Sequence, residues 1–364
     1  MRIVRVRLKN RSYDIVIGRA LLKKAGAILK RLGIGKDAVV ITNRRLLKLY
    51  RKPLEDSFKA AGLSVRFELV PDSEKAKDPA VALGLIKRIS AYDRLKEIFV
   101  VAFGGGVVGD LAGFVAAVYK RGVPYAQFPT TLLAQVDSAI GGKVAVDLPV
   151  AKNLVGAFYQ PRIVLSDISL LKSLSKRQLK NGLAEVVKYG VIKDRSLFGF
   201  LEKNHKKILK CDKRALEYVV ARSGRIKAAV VEKDELDKKG IRAILNYGHT
   251  LGHAIEAASG YSGRYNHGEA VAIGMVLAAE ISSRLGMMRR AEAERIAALI
   301  RGLGLPTDIK GLEFSRIYEA HLHDKKFVRK VNRFVLPVRI GKAKVVEGVT
   351  RSVIKSVLKK HLKK

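Results

Sequence analysis

In the first half of the chain, segments with the hydrophobic pattern of β-strands alternate with segments of helical spacing. Residues 2–18 alternate apolar and charged side chains, which predicts a pair of β-strands and no signal peptide. Further on, apolar runs alternate with segments of helical spacing, and this order predicts a parallel sheet with helices on both faces. The predicted strands cover 37–43, 64–70, 97–106 and 123–131, and the predicted helices cover 19–33, 46–62 and 79–93.

The pattern changes near residue 174, where strand signals give way to helical spacing. We predict helices within 175–194, 212–235, 244–259, 268–286 and 290–304, and a hairpin within 333–347. Residues 351–364 read as a basic, solvated terminal helix, with His361 on the surface. The fold class is therefore an α/β Rossmann-like domain with a parallel sheet, residues 1–173, followed by a mostly α-helical domain, residues 174–364. A ligand cleft is expected between them.

Composition and charge argue against several classes of protein. No apolar run is long enough to span a membrane. The single cysteine, Cys211, excludes an intramolecular disulfide, fits a reducing cytoplasm and has no obvious catalytic partner. The formal charge of +38 would suit nucleic-acid binding, but the basic residues are dispersed and no recognition motif is present. A solvated basic surface that attracts an anionic metabolite is the preferred interpretation.

A glycine loop follows one predicted strand. Gly104, Gly106 and Gly109 form a G-x-G-x-x-G pattern between that strand and a helix, which is typical of a dinucleotide pyrophosphate site. The next strand ends in Thr130 and Thr131 without the usual acidic ribose ligand, so Glu74 is an alternative. A tight turn that serves packing alone is the other interpretation.

Three of the seven histidines lie within nineteen residues. His249 and His253 are four residues apart, on one face of a predicted helix, and His267 follows. Glu185, on an apolar helix, needs a partner and could complete a Zn²⁺ site. Spacing alone makes all three histidines ligands, although it cannot separate a ligand from a neighbour that binds substrate.

Basic residues accompany these motifs and indicate an anionic substrate, a phosphate or a carboxylate. Arg242 precedes His249 by seven residues and would share its face if one helix covered both. The other candidates are Lys143, Lys152, Lys188 and Lys227.

Six colinear stretches carry a family resemblance: "GGGVVGDLAGFVAA", "RGVPYAQFPTTLLAQVDSAIGGKVAVD", "KNLVGAFYQP", "GLAEVVKYGVI", "LNYGHTLGHAIE" and "HGEAVAIGM". The chain resembles the 3-dehydroquinate synthase family of sugar phosphate cyclases. The resemblance implies cyclisation of 3-deoxy-D-arabino-heptulosonate 7-phosphate to 3-dehydroquinate with loss of phosphate, in the shikimate pathway. It further implies NAD that is recycled, a divalent metal (Zn²⁺ or Co²⁺) and a cytoplasmic homodimer.

The resemblance also implies roles for individual residues. Glu185, His249 and His267 match the metal ligands, whereas His253 matches a residue that contacts substrate and aids proton transfer. The residues that match substrate-contacting positions are Arg121, Lys143, Asn153, Lys188, Lys227, Arg242, Asn246 and either Lys325 or Lys326. The residues that match the NAD-contacting set are Asn43, Asp72, Glu74, Lys77, Gly105, Gly106, Gly109, Asp110, Thr130, Thr131, Asp137, Lys143, Lys152 and Ser173.

One departure and two rival functions remain at this stage. Asn43 stands where the family often has an acid, and its amide can still bind a ribose hydroxyl. The nearer rival is a sister cyclase that acts on sedoheptulose 7-phosphate or glucose 6-phosphate. The other is a metal-dependent polyol or glycerol phosphate dehydrogenase, which would release NADH. An intact "GHTLGHAIE", Arg242 and Asn246 favour the carboxylate-bearing heptulosonate.

Overall fold

The computed structural model describes residues 1–260, 262–322 and 332–363. The chain packs as two compact units: Met1–Leu174 with Leu216–Leu236, and Ser175–Ala215 with Asp237–Lys364. Residues 216–236 thus belong to the first unit, although they lie within the predicted 174–364 segment. The assignment of cofactor binding to 1–173 and of metal and substrate binding to 174–364 stays a prediction.

Nine strands lie within residues 1–174, all of which are described. Seven form one sheet in the order β1-β2-β9-β6-β5-β3-β4, in which every pair is parallel except β1 with β2. The predicted parallel sheet and N-terminal strand pair are confirmed. The strands are β1 Arg2–Val6, β2 Tyr13–Gly18, β3 Asp37–Asn43, β4 Ser64–Val70, β5 Ile98–Gly104, β6 Tyr125–Pro129, β7 Lys143–Leu148, β8 Ala151–Phe158 and β9 Ile163–Asp167.

Helices cover both faces of this sheet, as the alternating elements predicted. Side chains alternate along β3, so that Val40 packs in one apolar core while Val39 and Ile41 pack in the other. Phe58 of α2 lies in the first core and Leu111 of α4 lies in the second. The helices are α1 Ala25–Leu32, α2 Arg44–Ala60, α3 Pro79–Tyr92 and α4 Gly106–Val118.

The second unit is mainly helical, as predicted. Its described helices are α5 Lys176–Lys193, α6 Arg195–Leu209, the first residues of α7 Lys213–Lys233, α8 His249–Ala258, α9 His267–Arg284, α10 Arg290–Gly302, α11 Phe314–Leu322 and α12 Arg351–His361. Its described strands are β10 Ile309–Lys310, β11 Arg333–Arg339, β12 Lys342–Glu347 and β13 Leu362–Lys363; β11 and β12 form the predicted hairpin. None of the described helices has the length and apolar character needed to cross a bilayer.

Some predicted details differ from the structure. Gly248 adopts a left-handed conformation (φ 80°) that separates a 3₁₀ turn, Ile241–Asn246, from α8, so Arg242 and His249 do not share a helix. The helix α6 and the β7–β8 hairpin were not predicted. The surface placement of His361 was wrong, because its side chain is only 13% exposed; its ring nitrogens lie 2.7 Å from Glu280 and 3.1 Å from Asp308.

Candidate active site

The candidate cofactor residues follow the carboxyl ends of five neighbouring parallel strands. Asn43 ends β3, the 72–77 segment follows β4, and the glycine loop follows β5. Thr130 and Thr131 follow β6, and Ser173 lies beyond β9. The connection from β3 runs to one edge of the sheet and the connection from β5 runs towards the other, so the chain reverses direction between these strands. Ligands of open α/β sheets bind at such a point.

The glycine loop lets backbone, not side chains, face this edge. Gly105 precedes the first turn of α4 and supplies no capping side chain, so the helix dipole there favours an anion. A Cβ on Gly104 would lie 2.5 Å from the Cβ of Val108, and a Cβ on Gly109 would lie 2.9 Å from Gln127 Oε1. Gly104 is therefore required by packing against the stiff, branched side chain of Val108.

The buried Lys77 ammonium joins several candidate residues. Its Nζ lies 3.0 Å from Asp110 Oδ2 and 3.5 Å from Asp147 Oδ1, and it also donates to Asn153 Oδ1. Glu74 Oε1 follows at 3.9 Å. Burial raises the pKa of Asp110 to about 6, although the charge of Lys77 opposes this shift. A protonatable acid and a cation thus lie together next to the start of α4.

The β7–β8 hairpin adds further candidates to the first unit. Lys143 begins β7, and Lys152 lies on β8, where its Nζ is 3.7 Å from Glu74 Oε1. Asn153 has a left-handed backbone (φ 54°), and its N–H donates to Asp147 Oδ1 at 2.7 Å. Asp147 was not predicted from the sequence; its position six residues before Asn153, across a tight turn, was the available signal.

Two more candidates meet in the same unit. The ammonium of Lys227, on α7, lies 2.9 Å from Asp137 Oδ1 and donates to the Asp137 carbonyl oxygen at 2.8 Å. Thr131 Oγ1 accepts a hydrogen bond, at 3.1 Å, from the N–H of Ala134, the first residue of the π-helical turn that carries Asp137. The structure therefore joins a predicted substrate residue to a predicted cofactor residue.

Arg121 lies away from the glycine loop. It lies in an exposed turn after the last residue of α4, whereas the glycine loop precedes the first. Thirteen helical residues span about 20 Å, so Arg121 is separated from the loop by the length of α4. Its contact with substrate stays a prediction.

The histidine cluster is assembled in the second unit from three helices. Glu185 and Lys188 are one turn apart on α5, His249 is the first residue of α8, and His267 is the first residue of α9. A capping box at Asn266 and Glu269 fixes where α9 begins. Helix starts thus set the positions of both histidines.

The donor atoms of Glu185, His249 and His267 converge. Both histidine Nε2 atoms lie 3.6 Å from Glu185 Oε1, and one donor atom from each residue lies within 4.8 Å of the others. Zinc bonds of about 2.1 Å in a tetrahedron place neighbouring donors about 3.4 Å apart. This spacing fits a tetrahedral metal ion, and one carboxylate with two imidazoles is a donor set that Zn²⁺ accepts.

Neighbouring groups also contact the ligand atoms that point away from the proposed ion. His249 Nδ1 lies 3.0 Å from the Tyr247 carbonyl oxygen and therefore donates to it, which turns the Nε2 lone pair towards Glu185. Lys188 Nζ pairs with the second oxygen of Glu185, the partner that this buried acid needs. Burial opposes the charged imidazole, yet hydrogen bonds to Glu185 and Glu256 raise the pKa of His267 to about 10. The negative potential at this position favours a cation.

The other described candidates of the second unit lie on α8 and on the 3₁₀ turn that precedes it. His253 lies one turn after His249, with ring centroids 5.3 Å apart, outside the triad. Arg242 is buried on the 3₁₀ turn that ends at Asn246. Lys325 and Lys326 lie outside the described residues. Glu256, which contacts His267 Nδ1 at 3.4 Å, was missed, although its distance of seven residues from His249 indicated a shared helix face.

Two family models match the chain. Residues 68–181 match the 3-dehydroquinate synthase N-terminal family, and residues 182–327 match the 3-dehydroquinate synthase C-terminal family. The chain belongs to the 3-dehydroquinate synthase family. A 3-dehydroquinate synthase of Desulforamulus reducens is 48% identical over 98% of this chain and 99% of its own length. That of Pelotomaculum thermopropionicum is 47% identical over 97% of this chain and 95% of its own.

Solved structures of related cyclases share the fold. A 2-deoxy-scyllo-inosose synthase complexed with carbaglucose-6-phosphate, NAD⁺ and Co²⁺ has a TM-score of 0.87 and is 26% identical, over 99% of this chain and 100% of its own. A 2-epi-5-epi-valiolone synthase from Streptomyces hygroscopicus, with NAD⁺ and Zn²⁺ bound, has a TM-score of 0.87 and is 27% identical, over 99% of both chains. A probable glycerol dehydrogenase from Sinorhizobium meliloti, 16% identical with a TM-score of 0.67, shares the fold alone.

Proposed function

We propose that the chain converts 3-deoxy-D-arabino-heptulosonate 7-phosphate to 3-dehydroquinate and eliminates phosphate. The observation that carries this proposal is the 44–48% identity, along at least 93% of the chain, to relatives named 3-dehydroquinate synthase. The donor set of Glu185, His249 and His267 supports it, because the reaction needs a cation that can hold substrate hydroxyls.

The first unit is proposed to bind NAD. NAD⁺, when bound, would accept a hydride from the carbon that bears a substrate hydroxyl, while the hydroxyl loses its proton, and would later return the hydride, so it would not be consumed. The backbone at Gly105 and Gly106 holds the pyrophosphate at the start of α4, and Asn43 and Glu74 offer acceptors for ribose hydroxyls. Lys77 keeps Asp110 in place beside this loop. The other members of the set are Asp72, Gly109, Thr130, Thr131, Asp137, Lys143, Lys152 and Ser173.

The second unit is proposed to hold Zn²⁺ or Co²⁺. The metal, when bound, supplies a Lewis acid that polarises the substrate oxygens. Lys188 fixes one oxygen of Glu185 and leaves the other for the ion. His253, outside the ligand set, is proposed to take and return a proton at a ring nitrogen.

The substrate carries a phosphate and a carboxylate, and both need cationic partners. We assign this recognition to side chains that the family resemblance identified: Arg121, Lys143, Asn153, Lys188, Lys227, Arg242 and Asn246. Specific nucleic-acid binding is not part of the proposal, because no recognition motif accompanies the dispersed charge. A cytoplasmic homodimer is part of it, on the strength of the family resemblance.

A sister cyclase is the second candidate, favoured by the two solved neighbours with TM-scores of 0.87. Their 26–27% identity is well below the 44–48% of the relatives named 3-dehydroquinate synthase. A common fold does not determine which sugar phosphate is cyclised.

The test uses purified protein, the heptulosonate phosphate, catalytic NAD⁺ and Zn²⁺ or Co²⁺. Phosphate release and NADH absorbance are followed together, and the product is identified by mass spectrometry. We expect stoichiometric phosphate, no accumulated NADH, dehydroquinate as product and loss of activity with a chelator. Glu185→Gln should abolish turnover, whereas Glu202→Gln, which removes an exposed partner of Arg295, should not. Turnover of glucose 6-phosphate or sedoheptulose 7-phosphate alone would favour a sister cyclase, and accumulating NADH would favour a dehydrogenase.

A further inference from the structure

One face of α8 carries a third polar group besides its two histidines. His249, His253 and Glu256 occupy positions i, i+4 and i+7, which align along a helix. Glu256 Oε2 lies 3.4 Å from Nδ1 of His267, and the Nε2 of that ring lies 3.6 Å from Glu185. Glu256 has no role among the residues that the family resemblance implied.

We propose that Glu256 is a positioning residue of the metal site, which holds the His267 ring in the tautomer and orientation that point Nε2 at Glu185. This inference rests on the proposed metal-binding function of Glu185, His249 and His267. It adds a residue that does not itself touch the ion but determines how tightly the ion is held.

The hydrogen-bond chemistry leaves one arrangement for a neutral ring. A nitrogen that binds a metal ion must offer a lone pair, so with the ion held at Nε2 the proton of the His267 imidazole would reside on Nδ1 and be donated to the Glu256 carboxylate. His249 Nδ1 likewise donates a hydrogen bond to the Tyr247 carbonyl oxygen, at 3.0 Å. Both histidines are thus fixed from their outer side, one by backbone and one by a carboxylate.

His267 needs this support more than His249 does. The His267 side chain is 32% exposed, whereas that of His249 is 11% exposed. Packing therefore restricts the His267 ring less than the His249 ring, and a hydrogen bond from its outer nitrogen to Glu256 adds a constraint on its orientation. Such partners of metal-bound histidines change metal affinity by about 10–100-fold.

The geometry also fits a second role for Glu256, as a ligand of another metal ion. One donor atom from each of His253, Glu256 and His267 lies within 4.8 Å of the others, as in the triad. If Glu256 were a ligand in a second site, its removal would change the number of ions bound. If it positions His267, its removal changes the affinity and leaves the number unchanged. Stoichiometry therefore separates the two roles.

The test compares Glu256→Ala and Glu256→Gln with the full-length wild type and with Glu280→Gln. Glu280 is an acid on α9, more than three turns after His267, whose carboxylate binds Arg284 and His361. Zinc affinity is measured by competition with a chromophoric chelator, and the Co²⁺ absorption spectrum reports ligand geometry. Circular dichroism and melting temperature report folding.

We expect Glu256→Ala to weaken Zn²⁺ binding about 10–100-fold and to shift the Co²⁺ spectrum at unchanged stoichiometry. Glu256→Gln should fall between Ala and wild type, because an amide oxygen still accepts but carries no charge. Glu280→Gln should lower the melting temperature and keep the zinc affinity within about twofold. Unchanged affinity in Glu256→Ala, or loss of one bound ion, would overturn the proposal. If wild type bound no stoichiometric metal, or His249→Ala bound it normally, the proposed metal function itself would fail.

Discussion

The packing of α8 against α9 offers the sharpest test of how the fold positions the metal site. The two helices approach each other at glycines, and Gly274 of α9 lies against the start of α8. A Cβ on Gly274 would lie 1.9 Å from the carbonyl oxygen of Gly248, about 1.6 Å inside the roughly 3.5 Å of ordinary contact. His249 is the next residue, so any shift that relieves the overlap moves a proposed ligand.

The expected magnitude for Gly274→Ala follows from two opposing effects. Overpacking a core position costs about 1–3 kcal/mol, and the upper end applies because the atom met is backbone. Replacing a helical glycine with alanine returns about 1 kcal/mol. We therefore expect a net loss of about 2 kcal/mol in the free energy of unfolding. Zinc affinity should fall at least about tenfold, because the imidazole must sit within a few tenths of an ångström of its place.

Gly199→Ala is the matched control. This glycine lies within α6, and a Cβ there would meet no atom within 4 Å. Helix propensity alone predicts a gain of up to about 1 kcal/mol and unchanged zinc affinity. Urea unfolding is followed by circular dichroism, because the chain has no tryptophan. An unfolding midpoint for Gly274→Ala equal to or above that of wild type, with normal zinc affinity, would refute the reasoning.

Three further predictions address other parts of the molecule. Although burial opposes it, hydrogen bonds from His361 and neighbouring basic groups lower the pKa of Glu280 to about 2. The stabilisation is present above the unfolded pKa near 4.3 and is lost as pH falls towards 2. Glu280→Gln should therefore lower the free energy of unfolding by about 1–3 kcal/mol at pH 7, and by progressively less in thermal melts at lower pH. A loss of stability that does not depend on pH would contradict this. Gly104→Ala should weaken NAD⁺ binding, measured by calorimetric titration, by more than tenfold. Gly109→Ala should weaken NAD⁺ binding less, because its added Cβ meets only the end of a flexible side chain. A larger loss of NAD⁺ affinity in Gly109→Ala than in Gly104→Ala would contradict the packing argument. His253→Ala should keep stoichiometric metal while turnover falls; loss of the metal would show that the ring is a ligand.

Much of the fold was predictable because its periodicities are local. The inner strands β3, β5 and β6 are buried on both faces, and their apolar runs stand out between helices, so their order predicted a parallel sheet. The β7–β8 hairpin was not predicted, since all the β8 residues are exposed or partly exposed and no alternation of apolar and polar side chains marks the strand. The surface placement of His361 failed because its partners, Glu280 and Asp308, are distant in sequence.

The sequence by itself determined which chemistry is present: a glycine loop, a histidine cluster with a candidate acid, cationic side chains and the motifs of one family. The tertiary structure decided which atoms face each other. It brought Glu185 to His249 and His267 across more than sixty residues, and it placed Glu256 behind His267. It also separated Arg121 from the glycine loop by the length of a helix. These outcomes depend on helix packing and on where each helix begins, which spacing along the chain does not record.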